Sequence, residues 1–236
     1  MLNKSQVILL HTIKHGDNGI VLQCYSNDSG RKSLYLRVSS KNKIAISNLH
    51  RLSILDVVTY SSGTSMPSVR EIEPVRRFDS IRTNVYKNTI AIFLSELLMR
   101  CVKESESNLQ LYQFLASSIN RLEHISDGYA NFHVHFLVHF SKMMGFMPIS
   151  NYSEATPFFE IETARFCANS TRTSFSKVES ELLYKFLNTS AIDSYTVQCN
   201  GELRLSFAKK MIGYLSYHLG INIEVKSLDV LHEVFN

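Results

Sequence analysis

The spacing of hydrophobic and polar positions changes period once along this chain. Through about residue 75 the apolar residues come in short runs, Val7–Ile13, Gly19–Tyr25, Leu34–Val38, Ile54–Tyr60 and Val69–Ile72, separated by Ser, Asn, Asp and Gly. Runs of this length between turn residues predict strands, and Ser26-Asn27-Asp28-Ser29-Gly30 predicts a hairpin loop. The third and fourth strands are joined by a longer connection carrying the basic SSKNK and the segment IAISNLHRL. Five short strands with that one long connection fit a small closed barrel of the OB type, because closure removes exposed sheet edges. An SH3-like barrel fits the same pattern.

From about Ser80 the period becomes helical. Ile81–Val102 and Asn108–Ile125 each carry a broad apolar face, and Asn131–Met147 is apolar almost all the way round, as a helix buried in a bundle must be. With three histidines and a lysine in about 17 residues, that helix is too short and too polar for a membrane span, and Gly145 and Pro148 end it. Ser150–Thr173 is irregular, with Phe158, Phe159, Ile161 and Phe166 as candidate anchors. Ser176-Lys177-Val178-Glu179 is a capping box opening a helix to about Leu187. Leu203–Leu219 follows with Gly220 as its stop, and Ser227 is read as the cap of a last helix, Leu228–Phe235. The expected fold class is α+β: a five-stranded OB-fold barrel over residues 1–79, then an α-helical domain over 80–236 with an irregular insert at about 150–175.

Composition, with 44% hydrophobic and 19% charged residues, suits a chain with real cores. The start has no signal-peptide pattern and the four cysteines are widely scattered, which points to a cytoplasmic protein with reduced thiols. Net charge is only +4, but it is unevenly shared. Residues 1–87 hold 13 Lys and Arg against 6 Asp and Glu, whereas residues 88–236 hold 12 against 15. A basic front half predicts a polyanion as partner.

The basic set comprises Arg31, Lys32, Arg37, Lys41, Lys43, Arg51, Arg70, Arg76, Arg77, Arg82 and Lys87, with Tyr25, Tyr35, Tyr60 and Phe78 interleaved. Cations along a groove track phosphates, and exposed rings stack bases; the competing reading is an ordinary solvated surface over inward-packed tyrosines. His135 and His139, four apart on one helical face, have zinc-binding spacing. They lack the neighbouring Glu of a catalytic HExxH, however, and packed or interface histidines are the simpler reading. No CxxC pair, GxSxG, P-loop or dinucleotide fingerprint is present, so no enzyme, metal or cofactor is expected.

The order of parts and several runs resemble the RecO family of bacterial DNA repair proteins. These runs are QVILLHTIKHGDNGIVLQCYSNDSGRKSLYLRV at the start, SELL at 95–98, HFLVHFSKMMGFMP at 135–148 and GYLSYHLGINIEVKSLDVLHEV at 213–234. The resemblance implies an OB-fold, a helical domain, and a nucleoid-associated, non-catalytic recombination mediator. Such a protein binds single- and double-stranded DNA, anneals complementary strands, contacts the acidic tail of the single-stranded DNA-binding protein (SSB), and with RecR helps load RecA. Many relatives carry a four-cysteine zinc module at about 160–205. Here only Cys167 and Cys199 fall there, which implies a zinc-less variant whose loop is held by packing of Phe158, Phe159 and Phe166. The residues assigned to DNA by position and charge are Arg31, Lys32, Arg37, Lys41 and Lys43, extended by Arg51 and Arg70. Lys209, Lys210, Tyr214 and Tyr217 are assigned to the partner tail, with Arg100 or Lys142 as alternatives. The rival reading is a protein-only adaptor with no DNA role.

Overall fold

The computed structural model describes residues 2–39, 49–61, 66–102 and 107–235. Five strands, β1 Leu2–His15, β2 Gly19–Ser26, β3 Gly30–Arg37, β4 Ile54–Tyr60 and β5 Ser68–Pro74, close into a barrel of order β1-β2-β3-β5-β4. All neighbours are antiparallel except β3 and β5, which run parallel. Alternate residues of each strand point inward, and Val7, Leu9, Leu22, Cys24, Leu34, Leu36, Leu55, Val57 and Ile72 fill the interior.

β1 is longer than its apolar run because it serves two neighbours, pairing through Leu2–Ile8 with β4 and through Val7–His15 with β2. The register slips between Leu9 and His11, a bulge that bends the strand. The carbonyl of Leu10, in the bulge, accepts from the buried Ser95 hydroxyl and from Arg51 Nη1 at 3.4 Å.

The helical stretch expected over Ile81–Val102 is two helices, α1 Asp79–Thr83 and α2 Val85–Cys101. Asn84 interrupts it with extended backbone, and its side chain caps α2 by accepting from the amides of Tyr86 at 3.0 Å and Lys87 at 3.2 Å. α3, Leu109–His124, follows. The first two α1 amides past Asp79 donate to the Glu123 carboxylate at 2.8 Å each, and buried Lys87 donates to Ser80 Oγ and Glu123 O at 2.7 Å each. Lys87 is thus a clamp between helices and leaves the basic surface. The chain forms two compact units, Met1–His124 and Ile125–Asn236, so these three helices belong spatially with the barrel.

The second unit is built round α4, Phe132–Met143, where Phe132, Val134, Phe136, Leu137, Val138 and Phe140 are all buried, as its all-round apolar sequence requires. It packs with α5 Lys177–Asn188 and α6 Gly201–Leu219, and α7 Ser227–Val234 packs on α6. The Ser176–Glu179 capping box is present. Gly220 ends α6 with a φ of 64°, a conformation that costs a side chain with Cβ. Ser227 is the first residue of α7 rather than its cap; Lys226 holds that position without a side-chain bond. His135 and His139 place Nε2 against the carbonyls of Thr189 and Phe186, at 3.2 and 3.3 Å, so they serve the C-terminal end of α5.

The irregular segment contains a two-stranded ribbon, β6 Phe158–Glu160 with β7 Arg165–Cys167. Phe159 and Phe166 are buried with their rings 5.2 Å apart, and Phe159 lies 5.2 Å from Phe175 and 5.5 Å from Tyr214, all edge to face. Phe158 is only half-buried. Packing is joined by a polar knot: the buried Glu160 carboxylate accepts from the hydroxyls of Thr171, of Thr173 at 2.6 Å and of Ser174 at 2.8 Å. Burial alone would raise the Glu160 pKa, but these hydroxyls outweigh it and hold the carboxyl below the ordinary glutamate range.

Candidate nucleic-acid interface

Crossing from β3 through β5 to β4, the register sets Tyr35 beside Ser68 and Ser68 beside Tyr60. Leu34 and Leu36 point into the barrel, so Tyr35 points out, and two strand spacings put the tyrosine backbones about 10 Å apart. One step further along the parallel pair, Arg37 on β3 and Arg70 on β5 extend from the same outward face, both exposed. Arg70 sits where β5 gains a residue against β4, between the pairs Thr59–Val69 and Val58–Glu71, and a bulge of this kind re-aims a side chain. Its guanidinium lies 5.2 Å from the Tyr60 ring centroid, a cation–π contact. An aromatic row and a cationic row therefore share one barrel face.

The Tyr35 ring is seated on Gly19. A Cβ there would lie 2.7 Å from the ring and 2.5 Å from the His15 carbonyl, so only glycine lets the ring down onto β2. His15 closes the platform, edge to face with Tyr35 at 5.9 Å. Sequence reading missed His15; the signal for the seat was an isolated glycine at the start of a strand.

The other assigned cations are dispersed. Arg31 turns to the last turn of α2, donating to Met99 O at 2.9 Å and Val102 O at 3.4 Å. Arg51 donates to Leu10 O at 3.4 Å and Ser95 Oγ at 3.3 Å. Lys32 is occupied in the barrel, with Nζ 3.1 Å from Ser5 Oγ and 3.0 Å from Asp28, which binds it as an ion pair. Lys41 and Lys43 lie outside the described residues. Among the described residues the assigned cations divide: Arg37 and Arg70 flank the tyrosine row, Arg31 and Arg51 meet α2 toward the other end of β3, and Lys32 is paired with Asp28. Of the interleaved rings, Tyr25 and Phe78 are buried, while Tyr35 is half-buried and Tyr60 exposed.

In the second unit, α6 and Ile161 line a groove of about 410 Å³ whose other contributors are Leu205, Ser206, Lys209, Lys210 and Gly213, with Glu202 at its edge. Lys209 is exposed and 3.5 Å from Asp229; Lys210 donates to Ser174 O at 3.1 Å. Tyr217 is exposed. Tyr214 is not on this surface: its ring is fully buried and its hydroxyl donates to Phe146 O at 2.8 Å, because its position on α6 faces α4 and the ribbon. Among the described residues no helix is long and apolar enough to cross a membrane, and no group of three or more His, Cys, Asp or Glu could hold a metal ion.

Comparison with known proteins matches residues 1–78 to the family described as recombination protein O N terminal and residues 82–229 to recombination protein O C terminal. A DNA repair protein RecO of Flavobacterium psychrophilum is 31% identical over 238 residues, covering 99% of each chain. Those of Bacteroides fragilis and Porphyromonas gingivalis are 28% and 25% identical, with 100% of each chain covered. Matched along nearly its whole length, and folded as an OB-type barrel followed by helices, the chain belongs to the RecO family of DNA repair proteins.

Proposed function

We propose that the chain is a non-enzymatic recombination mediator of the cytoplasm and nucleoid. It binds single- and double-stranded DNA, anneals complementary strands, and with RecR helps load RecA onto single strands coated by SSB. The observation that carries this reading is the outward face of the barrel, where Tyr35 and Tyr60 flank Ser68 and Arg37 and Arg70 stand beside them. Stacking on a tyrosine is worth about 1 to 3 kcal/mol per base and tolerates any sequence, as a mediator needs. The arginines neutralise phosphates without reading bases, and two strands so neutralised repel each other less.

The division of labour proposed is DNA on the barrel-containing unit and the partner tail on the second unit. The α6 groove suits an acidic peptide with an aromatic end, the character of the SSB tail: Ile161 and Leu205 give an apolar floor and Lys209 and Lys210 the charge. Lys209 would exchange its exposed partner Asp229 for a carboxylate of the tail.

The test is fluorescence energy transfer between complementary oligonucleotides coated with the cognate SSB, at low and moderate salt. Annealing that accelerates with the protein and fades with salt is expected. A folded protein that neither anneals nor binds DNA would leave the adaptor reading in its place.

A further inference from the structure

The outward face of β3 carries Arg31, Ser33, Tyr35 and Arg37 in a line. At one end of this line Arg37 is exposed. At the Arg31 end, the last turns of α2 and the Leu10 bulge enclose a cavity of about 530 Å³, lined by His11, Arg31, Arg51, Glu96, Met99 and Arg100. Among the described lining residues three guanidiniums face one carboxylate. The hydrogen-bond partners of Arg31 and Arg51 are backbone carbonyls and one hydroxyl, all uncharged, which fix both guanidiniums in place without neutralising them. Burial foremost, and then the charge of Arg51, lowers the proton affinity of His11, so this wall of the cavity adds no further positive charge at neutral pH.

Cations held partly out of water without a counter-ion are costly, and an anion entering the cavity relieves that cost. The guanidinium fork matches phosphate oxygens better than it matches any neutral group, and the volume is that of an ordinary ligand pocket. Arg31 and Arg37 lie six residues apart on β3, about 20 Å. That distance fits within the roughly 4 to 16 nucleotides that an OB fold engages.

We propose that this arginine cavity binds a phosphate group of the same DNA strand whose bases stack on Tyr35 and Tyr60, extending the interface along β3 to α2. The inference rests on the barrel being the DNA surface. Arg100, exposed and on the outer side of α2, supplies one contact, and Glu96 opposes it.

The test uses the full chain with Arg100→Gln and Glu96→Gln, each checked by circular dichroism for an unchanged fold, and Tyr35→Ala as reference. Inorganic pyrophosphate is titrated by calorimetry, and a fluorescent 20-nucleotide oligo(dT) by anisotropy at several salt concentrations. Arg100→Gln is expected to weaken both ligands about three- to tenfold and to lower the salt slope for the oligonucleotide by about 0.7, the value for one phosphate on a single strand. Glu96→Gln is expected to tighten both. If Arg100→Gln leaves oligonucleotide affinity and slope unchanged while Tyr35→Ala weakens binding, the cavity is off the DNA path and the proposal falls, with the barrel reading intact. If the wild-type chain binds pyrophosphate but no oligonucleotide, the proposal and the barrel reading fall together.

Discussion

Replacing Glu160 with Gln should destabilise the second unit and change how that unit responds to acid. The carboxylate is 6% exposed and accepts from three hydroxyls, those of Thr171, Thr173 and Ser174. Hydrogen bonds to a charged group contribute about 1.5 to 3 kcal/mol each, net of water. Gln keeps one carbonyl oxygen and offers an amide that hydroxyls can rotate to meet, so one to two such bonds are lost, about 2 to 4 kcal/mol. At roughly 4 °C per kcal/mol, the melting temperature should fall by about 8 to 16 °C at pH 7. The pH dependence follows from the lowered folded-state pKa. Stability from a carboxylate held below its unfolded value of about 4.3 is fully present above that pH and disappears as pH falls through the folded value. The variant should therefore lose least where the wild type is already acid-weakened. Circular dichroism melts at steps from pH 7 to pH 3 measure both effects. Equal melting temperatures at pH 7 with parallel acid limbs would refute the knot as the clamp of this ribbon.

Tyr35→Ala and Tyr60→Ala should each weaken single-strand binding by about 1 to 3 kcal/mol with little change in salt slope, whereas Arg37→Ala with Arg70→Ala should lower the slope by about 1.4; anisotropy titrations separate the two. A Cβ at Gly213 would meet nothing within 4 Å, so Gly213→Leu should fold, fill the α6 groove and abolish binding of an SSB-tail peptide while DNA binding persists. Burial foremost, with the charge of Arg204, lowers the pKa of His133 to about 3, so this side chain folds neutral. Its contribution is present above the unfolded value of about 6.5 and declines by about 1.4 kcal/mol per pH unit below it. His133→Leu should flatten the stability profile between about pH 6.5 and pH 5, above the window in which Glu160 acts.

Periodicity made the barrel and the buried α4 legible, because inward alternation and an all-round apolar helix are direct imprints of burial. The break at Asn84 was hidden by hydrophobic residues on both sides that share one core. Charge type did not reveal charge role: Lys87 and Lys32 sit among arginines in sequence but are spent on Glu123 O and Asp28. Nor did an aromatic in an exposed-looking context mean exposure, since Tyr214 faces the core one turn before Tyr217 faces solvent. The Tyr35–Ser68–Tyr60 row was illegible for a topological reason. Only the parallel pairing of β3 with β5 brings residue 35 beside residue 68, and no local pattern encodes which strands become neighbours.

The knot at Glu160 also determines what the ribbon can be harmed by. Its closing groups are one carboxylate and three hydroxyls, oxygen ligands that no peroxide oxidises and no chelator strips. A segment closed instead by four thiolates on a metal would depend on metal supply and on reducing conditions. The hydrogen bonds to Glu160 draw on neither, so a chelator or a mild oxidant should leave this knot fastened.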